Sequence, residues 1–299
     1  MEQILGEGIA MAQSNNIAKF GTAGVPINFS KPPFRGKREQ FFGWLKDNGL
    51  NAFELQCTYG YKNVGFTAEQ IADAKRDGIF VSIHGPYFIN LGSQNADVQA
   101  NSKRILDEGI KFANEMGVSR FIFHPGGGYG KTIEDRNNGL MAVINNMKAV
   151  VMQNDMSNVS LYPEIGGKVA NLGSLDEIIT ICKSVPNTYP CIDVAHLHAR
   201  ENGSLNSVED FIRVFDKIEK ELGREFLDKT HFHCYTIEYN EKGEVKHRMF
   251  NENDCEFLDN FVMACKRKNM TPWVISEALN SQDESAKYIC KKYNEQEGI

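Results

Sequence analysis

The sequence predicts an α/β fold of the (β/α)8 TIM-barrel type, and three observations carry the prediction. Eight short β-rich runs recur along the 299 residues. Segments with helical periodicity separate each run from the next, and strict alternation of strand and helix implies a parallel sheet with helical crossovers. The length is that of one barrel, which favours closure over an open doubly wound sheet.

The strands are expected at residues 18–22, 52–56, 79–83, 120–123, 159–162, 191–194, 230–234 and 273–276. Between them, residues 40–48 gather Phe41, Phe42, Trp44 and Leu45 on one helical face. Residues 67–76 open with a Thr-x-x-Gln capping box. Residues 100–116 set Ile105, Ile110 and Phe112 at core spacing before Gly117 stops the helix. Helices follow at 139–152, at 174–183 with Ser174 and Glu177 as a second capping box, and at 207–222 after a loop at 203–207. Segments 252–268 and 281–292 complete the set. No linker, low-complexity tract or charge block interrupts the alternation, so residues 1–299 read as one domain, with 1–16 as a short polar leader.

Composition agrees with a globular protein: 41% of residues are hydrophobic and 24% charged. No apolar stretch approaches the ~18 residues needed to span a bilayer, so no membrane partner is expected. Residues 1–16 lack the basic start of a secretion signal. Seven scattered cysteines without a CxxC pair read as reduced thiols in a cytoplasmic protein. A free cysteine is usually a small buried hydrophobe; Cys57 and Cys234 are the two whose positions also allow a place at a site. The formal net charge of −6 weakens a nucleic-acid reading. A metal cluster can nevertheless supply local positive potential inside an acidic protein.

Polar groups end the apolar runs. His84, His124, Glu164, Asp193, His231 and Glu277 come one each from six successive strands, and in a closed barrel those ends converge on one axial pocket. One histidine ending a strand is more often a hydrogen-bonded structural residue than a ligand. Six such groups together would be costly to bury without a compensating ion, so the joint pattern favours metal binding. Nitrogen and carboxylate donors suit zinc, manganese or iron. By strand alternation His231 and His233 can both point inward. The glycine-rich segment 124–130, HPGGGYG, lacks the Lys-Ser/Thr of a phosphate-binding P-loop, so its glycines are read as letting backbone pass close to the pocket. Glu54 reads either as a contact to a substrate hydroxyl or as the partner of a lysine.

At these residues the chain resembles the endonuclease IV (apurinic/apyrimidinic endonuclease) branch of the xylose-isomerase-like barrels. The matching pieces are HGPYFINLGS at 84–93, FHPG at 123–126, Glu164 after Tyr162 and Pro163, CIDVAH at 191–196, Thr230 with His231, and Glu277. The resemblance implies a metal-dependent phosphodiesterase that hydrolyses DNA on the 5′ side of abasic sites, using two or three zinc ions, with manganese as an alternative. It implies a first ion on His84, His124 and Glu164. A second would be shared by Glu164 and held also by Asp193, His231 and Glu277, with Glu277 or Glu164 orienting the nucleophile. The resemblance thus favours His231 as ligand, with His233 as its replacement or support.

A third ion would use His196 and His247, but Val245 stands where the family has an aspartate, and alternation turns the adjacent Glu244 away. Tyr87 matches a tyrosine that penetrates DNA in the family. With Asn90, Tyr59 and Lys62 it completes the substrate-binding candidates, the last two in the loop 57–63, where the family's arginine is missing. Aromatics there can stack on a base or merely roof the barrel mouth. The competing reading is a sugar or polyol isomerase or epimerase with one divalent ion, in which Glu164 and Glu277 shuttle protons. Such an enzyme has no need of His84 with His124.

Overall fold

The computed structural model describes residues 17–127 and 132–295. The inferred leader at 1–16 and the glycines at 128–130 lie outside the described residues. Eight parallel strands form one sheet: β1 (Lys19–Ala23), β2 (Ala52–Gln56), β3 (Phe80–His84), β4 (Arg120–Phe123), β5 (Ser160–Pro163), β6 (Cys191–Asp193), β7 (His231–His233) and, after a hairpin, β10 (Trp273–Ser276). Their order is β5-β4-β3-β2-β1-β10-β7-β6. Parallel bridges Leu161 to Thr188 and Glu164 to Cys191 bring β5 against β6, so the sheet rolls up into a barrel. The hairpin consists of β8 (Ile237–Asn240) and β9 (Gly243–His247), antiparallel and outside the barrel sheet.

Helices α1 (Phe41–Asp47), α2 (Ala68–Arg76), α3 (Ala96–Glu115), α4 (Ile133–Gln153), α5 (Leu175–Ser184), α6 (Val194–Arg200), α7 (Val208–Leu222), α8 (Arg224–Lys229), α9 (Glu256–Arg267) and α10 (Gln282–Asn294) follow in chain order. The capping boxes at Thr67 with Gln70 and Ser174 with Glu177 are both formed. Helices α3 and α4 start earlier than hydrophobic periodicity suggests, because Asn95 and Thr132 cap polar first turns. The run 191–194 does not continue as a strand. Asp193 ends β6 and its carboxylate accepts the His196 backbone N–H at 2.6 Å, which starts α6 one residue later.

Alternation along each strand divides the packing. Phe53, Leu55, Val81, Ile83, Phe121, Phe123 and Phe232 face outward into the large core shared with the helices. Inside the barrel, Ala52, Trp273 and Ile275 form one small cluster and Ile122, Tyr162 and Cys191 another. Toward the strand ends the interior turns polar, with Glu54, Ser82, His231 and His233 all buried. No helix among the described residues is long and apolar enough to cross a membrane.

Candidate metal centre

Glu164, the residue after β5, is the hub. Its Oε2 lies 2.9 Å from His84 Nε2 and 3.4 Å from His124 Nε2. Its Oε1 lies 3.0 Å from His233 Nδ1 and 3.4 Å from His196 Nδ1. Three groups of donors therefore adjoin at the C-terminal rim: His84, His124 and Glu164; Glu164, Asp193, His233 and Glu277; and His196, Glu244 and His247. Within each, one donor atom per residue lies within 4.8 Å of the others. A cleft of about 360 Å³ opens over them, lined by His84, His124, His196, Glu244, His247 and Glu277, with Tyr87 at its lip.

Backbone carbonyls aim several of the rings. His84 Nδ1 meets Gly85 O at 2.8 Å, His196 Nδ1 meets Ile165 O at 3.0 Å, and His247 Nδ1 meets Glu277 O at 3.0 Å. A nitrogen that donates to a carbonyl leaves the opposite nitrogen as a lone pair, which is how metal-ligating imidazoles are usually oriented. The glycines serve close approach: a Cβ on Gly167 would sit 2.5 Å from Glu244 Oε2 and 2.7 Å from His196 Cδ2. One on Gly126 would sit 2.3 Å from Asn90 Oδ1.

Two expectations change. The sequence favours His231 beside Asp193 and Glu277, with His233 as its replacement or support. It is His233 that lies 3.8 Å from both Asp193 Oδ2 and Glu277 Oε1. His231 points to Glu54, deeper in the barrel, with Nε2 3.0 Å from Oε2. Alternation cannot choose between two inward residues, since the choice is one of depth along the axis.

The second change concerns Glu244, which strand alternation turns away. Glu238 pairs with Lys246 and Tyr239 with Glu244, leaving Val245 as an extra, unpaired residue. That bulge puts Glu244 and His247, three apart, on one side. Glu244 Oε2 lies 3.5 Å from His196 Nε2 and Oε1 3.6 Å from His247 Nε2, while Val245 is 47% exposed. Glu244 thus joins His196 and His247 in one group of donors.

Tyr59 and Tyr87 are 85% and 62% exposed and meet edge to face, with ring centroids 5.9 Å apart. Lys62 is exposed in the adjoining loop, on a depression that also includes Tyr59 and Pro86. Asn90 is committed internally, its amide donating to Gly127 O at 2.5 Å and accepting from Gly127 N–H at 3.2 Å. Cys57 and Cys234 belong to the outer core, and burial pushes the Cys57 thiol up to about 12. Sequence reasoning does not single out Tyr235, whose buried hydroxyl donates to Asp193 Oδ2 at 2.9 Å and lies 3.1 Å from His247 Nε2.

The electrostatics are those of a carboxylate cluster in need of cations. Burial alone would raise Glu164, yet His124 and His233 hold it well below the usual range. Against burial, Glu164 raises His84 to about 9, while Asp193 and Glu164 raise His196 to about 10. Asp193 itself is raised to about 6 by burial, which outweighs its attraction to His196. Protonated imidazoles thus balance the carboxylates where divalent ions otherwise would. His196 Nε2 is buried without a hydrogen bond, and such an orphaned atom is rare in a satisfied interior. Nitrogen and oxygen donors, the orphaned His196 ring nitrogen and shared carboxylates together fit divalent metal ions.

This α/β barrel gathers at its C-terminal rim donor clusters that could hold metal ions. The chain belongs to the xylose isomerase-like TIM barrel family, whose pattern matches residues 42–292. It is 31% identical over 280 residues to an uncharacterized protein of Methanocaldococcus jannaschii, covering 92% of this chain and 97% of that one. A probable endonuclease 4 of Aquifex aeolicus is 29% identical over 168 residues, 54% of this chain and 57% of the relative. Among solved structures, endonuclease IV from Thermus thermophilus superposes with a TM-score of 0.63 at 15% identity, covering 92% of this chain and 98% of that one. A D-psicose 3-epimerase determined in the presence of D-fructose does so at 0.59 and 16%, covering 92% and 95%. The fold therefore admits both chemistries, and function must be argued from the site.

Proposed function

We propose that the chain is a metal-dependent phosphodiester hydrolase of the endonuclease IV type, cutting DNA on the 5′ side of abasic sites. The observation that carries this reading is the double membership of Glu164, with His84 and His124 on one oxygen and His233 and His196 on the other. His84, His124 and Glu164 would hold one ion, Glu164, Asp193, His233 and Glu277 a second, and His196, Glu244 and His247 a third. Zinc suits this donor set, with manganese as an alternative occupant. Bound there, the ions would acidify water and stabilise charge on the phosphoryl oxygens.

Glu277, at the rim with its side chain partly open to the cleft, orients the attacking water and takes its proton. Tyr235 holds Asp193 in place through its hydroxyl. Tyr59 and Tyr87 offer ring faces at the lip, where a base beside the missing one can stack. Seven scattered cysteines without a CxxC pair suit a reducing, cytoplasmic setting.

A second reading has its own observation. The quartet Glu164, Asp193, His233 and Glu277 is sufficient by itself for a one-ion sugar epimerase or isomerase. One experiment separates the two. The zinc-loaded protein is expected to nick a duplex bearing a tetrahydrofuran abasic mimic, chelator to stop it, and zinc to restore it. Intact duplex, together with epimerisation or aldose–ketose interconversion of a free sugar, would transfer the assignment to the second reading.

A further inference from the structure

His84, His196 and His247 each spend one ring nitrogen on a backbone carbonyl. His233 is different. Its Nδ1 faces Glu164, Asp193 and Glu277, and its Nε2 lies 3.2 Å from Glu54 Oε1, a carboxylate buried beneath the ion sites. We propose that Glu54 is the positioning residue for His233, and that Arg120, His231 and Ser82 hold Glu54 in turn. This inference rests on the metal-centre reading above.

The protons along this line follow from donor chemistry. Arg120 can only donate, and its Nη1 lies 3.5 Å from His231 Nδ1, so that nitrogen accepts. His231 therefore carries its hydrogen on Nε2 and donates to Glu54 Oε2 at 3.0 Å. Ser82 Oγ donates to the same oxygen at 3.0 Å, and Gln56 Nε2 donates to Oε1 at 3.1 Å. Three donors on a buried carboxylate favour its ionised form, which can only accept. The hydrogen on His233 then belongs on Nε2, where Glu54 Oε1 is the acceptor within reach, and the lone pair of Nδ1 is presented to the shared carboxylates. His231, with both nitrogens engaged, has none left for an ion.

The line also accounts for an expense in the design. A barrel interior is normally a packed stack of branched apolar side chains. Here Glu54, Ser82 and His231 occupy such positions while fully buried, and Arg120 lies below them with its guanidinium 4.3 Å from the Trp273 ring centroid and 4.8 Å from that of Tyr162. Apolar replacements would fill the same space without desolvating charge. Fixing the tautomer and aim of His233 is what the polar layer gains.

The test uses the full chain loaded with zinc. Ring 15N correlation spectra of wild-type protein are expected to show His233 with hydrogen on Nε2 and metal on Nδ1; the reverse assignment would overturn the proposal without any variant. For Glu54→Gln, whose folding is checked by circular dichroism, competition with a chromophoric chelator is expected to show zinc bound roughly 10–100-fold more weakly at one site. The cobalt(II) spectrum should change with it, and His231→Gln should shift both in the same direction. Wild-type protein that binds zinc, alongside Glu54→Gln with unchanged affinity and cobalt spectrum, would sink the positioning role alone. Wild-type protein that binds no zinc would remove the metal-centre reading and this inference together.

Discussion

On β7, Phe232 points outward and packs against Phe215 and Phe261, with ring centroids 5.6 and 5.4 Å away, whereas His231 and His233 on either side point inward to Glu54 and Glu164. The two faces of one strand thus solve different problems. The outer face buries apolar area against helices, and its contribution is nearly indifferent to pH or ions. The inner face buries charge, which is tolerable only while every group has a partner. Stability is therefore expected to reside outside the sheet and function inside it, and substitutions on the two faces should separate the two properties.

The largest effect is expected inside. Glu164→Gln removes the carboxylate charge common to two donor groups, and cleavage of abasic duplex should fall by about 10²–10³-fold, the order seen when charge-stabilising groups are lost from active sites. Elemental analysis should show fewer ions per chain. Retention of both ions and activity would mean that the hub is not Glu164. Outside, Phe232→Ala leaves a hole in the core and should cost about 3–5 kcal/mol in urea unfolding, while the folded fraction keeps its metal content. A matching loss of ions without loss of stability would erase the distinction between the faces.

A smaller effect belongs to pH. His84 and His196 are raised from the ordinary 6.5 to about 9 and about 10 in the metal-free protein. A raised folded-state pKa contributes stability that is complete below the unfolded value and disappears as pH climbs through the folded one. Chelated protein should accordingly lose stability between pH 6.5 and 10, by an amount on the order of 3 kcal/mol for His84 alone. Metal-loaded protein, its imidazoles already deprotonated, should not show this loss, and zinc affinity should increase over the same interval. Parallel stability curves with and without chelator would show that these histidines do not face the ions.

How far the sequence could be read follows the same division. Period-two alternation and capping residues made the strands and many helix starts legible, because both are local. Five of the six strand-end groups, His231 being the exception, meet in the adjoining donor clusters that share Glu164, since closure brings strand ends together. Depth was not legible: His231 and His233 are equivalent to alternation, yet two residues span ~6.6 Å along the strand, enough to separate a group beneath the centre from one within it. Glu54 did leave a signal, an acidic residue inside the apolar run AFELQ, which in a closed barrel requires a buried partner. The hairpin left less. Its bulge is a relation between two strands, and residues 243–247 alone do not encode which of them stays unpaired.

That bulge supports the smallest and sharpest expectation. If Val245 is the extra residue of β9, its side chain stays on the outer side of the hairpin whatever replaces it. Val245→Asp should then leave the ion count unchanged and shift stability by no more than about 0.5 kcal/mol, as an exposed substitution does. Glu244→Gln, one residue away, should remove the ion held with His196 and His247 while sparing those around Glu164. Elemental analysis of the two variants reads the difference directly. An additional ion in Val245→Asp would mean that the strand keeps regular alternation, with residue 245 facing the cleft and Glu244 turned from it.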